Sequence, residues 1–104
     1  MAYIDPRNVD SPRASWKLIE VLRNGRIDGQ GDGDMALALG EWNGDRCFGL
    51  RWNGSDADAS GVGNPQSRGL PTWFILPEWM HETILGSDII PEAKRALAAA
   101  LIRG

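Results

Sequence analysis

The chain has 104 residues, of which 42% are hydrophobic and 24% charged. That suffices for one modest core and rules out a second domain, wholesale disorder and an apolar run of the ~20 residues that cross a bilayer. Eleven Lys and Arg against fourteen Asp and Glu give a net charge of −3, which excludes a strong global field drawing in DNA or acidic lipid.

Residues 1–14 are rich in Pro, Asp, Asn, Ser and Arg without a period, and they read as an N-terminal arm. Residues 15–104 read as a single domain. The opening Met-Ala-Tyr-Ile-Asp-Pro-Arg carries neither a basic nor an apolar leader segment, and a lone cysteine, Cys47, forms no internal disulfide. A cytoplasmic location is the expectation.

Trp16 opens a short apolar run to Leu22, which Asn24-Gly25 cuts off early, so residues 16–22 are expected as a strand. Residues 24–34 scatter four glycines among charges and read as a loop. Met35 to Trp42 and Asp45 to Trp52 flank Asn43-Gly44, the pair that supplies both positive φ angles of a type I′ hairpin turn. Pairing Trp42 with Asp45 sets Glu41 against Arg46, Leu39 against Phe48, Leu37 against Leu50 and Met35 against Trp52. One face is then bulky and apolar. The other carries Ala36, Ala38 and Gly40 opposite Arg51, Gly49 and Cys47, with almost no bulk. Such a bare face admits the close approach of a helix or sheet, or else leaves room for a flat ligand such as a nucleobase.

Residues 53–69 read as a long loop. Residues 70–76 read as a strand, with Thr72, Phe74 and Leu76 on one side and Trp73 and Ile75 on the other; Pro71 belongs at its start or edge. Pro77-Glu78 begins a helix that ends at Gly86. Pro91-Glu92 begins a second, alanine-rich helix running to Ile102. Its stripe of Ala93, Leu97, Ala100 and Leu101 is expected to pack on a sheet or on a partner subunit. The class is α+β: a curved antiparallel sheet of about four strands followed by one or two C-terminal helices.

Few residues have the pattern of a reactive site. An EF-hand loop begun at Asp28 places Leu39 where a bidentate Glu is needed, so calcium fails. One Cys and one His, Cys47 and His81, lack a third group to orient a base. No metal, cofactor or catalytic residue is expected, and the chain reads as non-enzymatic. Gln66, Ser67 and Arg68, among glycines, offer donors for a phosphate or carboxylate. Five tryptophans offer stacking surfaces.

Leu37-Ala38-Leu39-Gly40-Glu41-Trp42-Asn43-Gly44, the strand after it, and Gly69 through Leu76 leading into Pro77-Glu78-Trp79 resemble the positive cofactor 4 family of single-stranded-DNA-binding coactivators. The resemblance spans about residues 35–85, and the segment from Gly63 to Pro77 also looks like that of small bacterial proteins with no assigned function. It implies a homodimer that binds nucleic acid through strand-borne basic and aromatic residues, here Trp42, Arg46 and Arg51. The family's binding face is lysine-rich, whereas this chain has only Lys17 and Lys94. The hairpin register also sets Arg46 on the face opposite Trp42 and Arg51.

Two functions follow from the sequence. One is a weak single-stranded nucleic-acid binder, with Arg46, Arg51 and Arg68 on phosphates and Trp42 stacking on a base. The alternative is a protein-interaction or accessory module whose tryptophans and small-residue face meet a partner.

Overall fold

The hairpin organises the fold. In the computed structural model, which describes residues 6–11, 14–24, 35–52, 63, 65–67 and 70–103, strand β2 (Met35–Trp42) pairs antiparallel with β3 (Asp45–Trp52). The partners run from Trp42↔Asp45 to Met35↔Trp52, the register expected from Asn43-Gly44. Asn43 has φ 51° and Gly44 φ 92°, the two left-handed residues that a type I′ turn needs.

Strand β1 (Trp16–Arg23) adds to β2, and the two-residue β6 (Phe74–Ile75) adds to β3, which gives an open antiparallel sheet ordered β1-β2-β3-β6. A separate ribbon joins β4 (Gln66–Ser67) to β5 (Leu70–Pro71). Two 3₁₀ turns, Pro6–Asn8 and Glu78–Met80, accompany helices α1 (His81–Leu85) and α2 (Glu92–Arg103). The result is an α+β domain of four antiparallel strands followed by C-terminal helices.

The bulky face lies under the helices. Leu22, Leu37, Leu39 and Phe48 pack there with Leu76, Ile84, Ile90 and Ala98. Burying each of the larger side chains contributes about 2 kcal/mol, so this cluster is the main source of stability. Register shifts between Leu18 and Glu20 and between Val21 and Arg23 break the period of two in β1. They bring Ile19 and Leu22, three residues apart, onto the same cluster.

Residues 70–76 do not form one strand. Pro71 has no N–H, the Thr72 N–H donates to Pro65 O at 3.1 Å, and the Thr72 carbonyl accepts from Arg51. The segment therefore divides into β5 and β6. Beyond the break the expected alternation holds, with Trp73 and Ile75 on one side and Leu76 on the other.

Helix α2 divides the expected stripe. Ala98 is buried and Leu101 and Ile102 pack inward, while Ala93, Leu97 and Ala100 are exposed. Lys94 finds partners in this rotation. Its Nζ donates to Val21 O at 2.7 Å and lies 3.1 Å from a Glu20 carboxylate oxygen, so the charged end finds acceptors at the sheet edge. Arg95 does likewise with Ile90 O and Asp88. Among the described residues, no helix is long and apolar enough to cross a membrane.

Candidate interaction surfaces

The bare face is filled by the chain's own flat rings. Trp16 and Trp73 pack there with Val9, Ala36, Ala38 and Cys47. A Cβ added to Gly40 would run into the Trp16 ring and come within 2.5 Å of Lys17 O. One added to Gly49 would lie 3.2 Å from Trp73 Cβ. Both glycines let an indole lie on the backbone. The Trp73 Nε1–H donates to Val9 O at 2.7 Å, which fastens residues 6–11 over the same face. This cluster takes the space that the sequence leaves open for a base.

Arg51 is interior. It is 0% exposed, and its Nη1 donates to Thr72 O and to Pro65 O, its Nη2 to Trp52 O. Burial pulls its pKa down to about 10, so the guanidinium still carries its charge at neutral pH. A side chain spent on loop carbonyls presents no fork to a phosphate, which corrects the expectation that Arg51 stands on a binding surface. Sequence gave no sign of this, because the carbonyls come from residues 14 and 21 positions away.

Arg46 sits on the helix side, as its register requires. Its Nη1 donates to Leu101 O at 2.8 Å near the end of α2, and its Nε lies 3.8 Å from Glu41 Oε2. Trp42 is half-buried at the margin of the small face. Both border a cleft of about 500 Å³ between the hairpin end and the end of α2, together with Cys47, His81 and Arg103. The fold thus brings Trp42 and Arg46 to one cleft and takes Arg51 elsewhere. Arg68 lies outside the described residues, as do the acidic loop that begins at Asp28 and most of residues 53–69.

The chemistry of that cleft is quiet. Burial pushes the Cys47 thiol up to about 11, against a weaker opposing hydrogen bond with the Trp42 backbone. The thiol is therefore protonated at neutral pH and unactivated. His81 packs edge-on to Phe48 with ring centroids 5.4 Å apart, and its Nε2 is buried without a partner. Cys47 belongs to the small-face cluster, whereas His81 meets Phe48 on the other side of β3. Among the described residues, no three metal-ligating side chains come together.

The outer side of the helical layer is different. On α2, Leu97 is 44% exposed between the exposed Ala93, Ala96 and Ala100; Trp79, on the 3₁₀ turn before α1, is 79% exposed. These four α2 positions follow the i, i+3, i+4, i+7 spacing of a single helix face. The spacing is visible in the sequence; its outward direction is not. Glu82 and Arg103 border this surface, with Arg103 Nη2 2.6 Å from Glu82 Oε1. Their hydrogen bond holds the Glu82 carboxyl below its usual range and raises Arg103.

No protein-family model, curated protein or solved structure matches this chain.

Proposed function

We propose that this chain is a small, non-enzymatic protein-interaction module that contacts its partner through the outer side of the helical layer. One observation carries the reading: Leu97 is left in solvent among the exposed Ala93, Ala96 and Ala100 on that side, although the domain has a well-filled core. A contiguous apolar strip left in solvent marks a contact surface. The small-residue face named in the sequence reading is covered by Trp16, Trp73 and Val9, so the partner surface moves to α2. A reducing, cytoplasmic setting goes with this reading, since the single thiol is buried and free.

Site-specific photo-crosslinking in cells tests it. A benzophenone side chain at position 97 is expected to give protein adducts, and one at the exposed position 17 is not. No adduct at position 97, or only adducts that nuclease removes, would sink the reading.

A second reading, the weak single-stranded nucleic-acid binder, is favoured by the meeting of Trp42 and Arg46 at one cleft. It would draw on Arg68 as well. Titration with mixed-sequence single-stranded DNA separates the two. Tryptophan quenching at low salt that vanishes at high salt supports nucleic-acid binding. A flat response removes it.

A further inference from the structure

We propose that the cleft between the hairpin end and the end of α2 binds a small organic ammonium ion, with the charged nitrogen at Asp45 and Trp42 and the hydrocarbon stem on Ile75, Leu76 and Ile102. The cleft holds about 500 Å³, and a second hollow of about 330 Å³ adjoins it along Glu78, His81 and Ile102. None of Ala93, Ala96, Leu97 and Ala100 lines either hollow, so this ligand and the module's partner are tested separately.

Charge decides the sign of the ligand. Arg46, Arg103, Asp45 and Glu78 line the cleft, and both cations are already engaged. Arg46 Nε lies 3.8 Å from Glu41 Oε2 and its Nη1 donates to Leu101 O. Arg103 meets both Glu82 oxygens through Nε and Nη2. Among the described residues, no cation pairs with Asp45 or Glu78. With Glu41 and Glu82 included, four carboxylates stand around two guanidiniums.

Helix α2 adds to the same field. Its last residues, Ile102 and Arg103, border the cleft, and a helix C-terminus is the negative end of the macrodipole. The buried Cys47 in the same wall registers it. Burial is the main cause of its raised pKa, and the carboxylates of Asp45 and Glu41 push in the same direction.

The walls favour an organic cation over a bare ion. Trp42 and Asp45 are cross-strand partners at the hairpin end, so an indole and a carboxylate stand side by side on one face. An ammonium is attracted to the face of an indole as well as to a carboxylate. Ile75, Leu76 and Ile102 offer carbon to a stem, and among the described residues no three metal-ligating side chains come together. His81 lines the cleft on the α1 side, and its Nε2 is buried with no partner. An imidazole nitrogen of that kind can accept a hydrogen bond, and a primary ammonium brings three donors.

Titration of the purified chain with hexylammonium chloride tests the proposal. The readout is the Trp42 indole N–H resonance, assigned from its loss in Trp42→Phe. A saturable shift is expected, with a Kd of about 1 mM for a ligand of so few heavy atoms. Hexanoate, of equal length and opposite charge, should leave the resonance in place. Asp45→Asn and Glu78→Gln, both at exposed positions, should each weaken binding about two- to fivefold, whereas Lys17→Gln should not. No saturable shift up to ~20 mM, an equal response to hexanoate, or binding indifferent to both acid substitutions overturns the proposal. A chain that ignores hexylammonium but still crosslinks from position 97 keeps the module reading. Single-stranded DNA moving this resonance where hexylammonium does not would give the cleft to the nucleic-acid reading instead.

Discussion

The indole rings of Trp16 and Trp73 lie 6.2 Å apart between centroids, tilted by 36°, across the small face of the β2–β3 hairpin. Each ring rests beside a glycine, Trp16 at Gly40 and Trp73 at Gly49. The face is bare in the sequence because its occupants come from elsewhere in the chain.

Gly40→Ala tests the closer of these contacts. The new methyl would meet the Trp16 ring and the Lys17 carbonyl, and a backbone oxygen has little room to give way. A loss of about 3 kcal/mol is expected, against about 1 kcal/mol for Gly49→Ala, where the neighbour is 3.2 Å away. Urea midpoints of the two variants check the order.

Arg51→Ala should destabilise the fold by about 3 kcal/mol, because the carbonyls of Thr72 and Pro65 lose the charged donor of a buried side chain. Chemical denaturation measures the loss. Arg51→Glu places an acid among the same carbonyls and should fail to fold. Its failure to bind DNA would then say nothing about a nucleic-acid surface.

Cys47 sets an alkaline limit. Its folded pKa of about 11 stands above the ordinary value of 9.0. Below pH 9 the thiol is protonated in both states and stability is unaffected. From pH 9 toward 11 the unfolded chain releases its proton first, so stability falls as pH rises, by on the order of 2 kcal/mol at the end of the range. Stability measured from pH 8 to 10.5 should decline less steeply in Cys47→Ala. Equal slopes would show that the thiol is not held as described.

Lys94 closes the β1 edge. Its bond to Val21 O satisfies a carbonyl on a strand that, among the described residues, has no sheet neighbour on that side. Lys94→Met keeps the stem and removes the donor, so a cost of about 1–2 kcal/mol is expected. Light scattering of the variant should rise with concentration faster than that of the parent, since the edge is then less guarded.

Local chemistry made the fold readable. Asn43-Gly44 defines the turn, and alternation on either side defines the register from Trp42↔Asp45 to Met35↔Trp52. Pro77, Gly86 and the alanine-rich run after Pro91 mark the helices. These signals act over a few residues, where backbone sterics and periodicity decide. The strand expected over residues 70–76 failed at Thr72, whose hydrogen bonds go to the distant Pro65 and Arg51.

The candidate site was less legible. The register sets Arg46 and Trp42 on opposite faces, yet both border one cleft at the hairpin end. Arg51 has the same chemistry as Arg46, yet it is taken into the interior by two carbonyls from the loop that follows.

Sequence by itself determined the turn, the pairing of β2 with β3, the helical segments and the existence of an apolar stripe on α2. Tertiary structure decided which way that stripe points. Lys94 and Arg95 gain acceptors on β1 and before α2, while Ala98, Leu101 and Ile102 fill the space over Leu39 and Phe48. Ala93, Leu97 and Ala100 offer less volume to a core, so the rotation that buries the larger groups and satisfies both cations leaves them facing out.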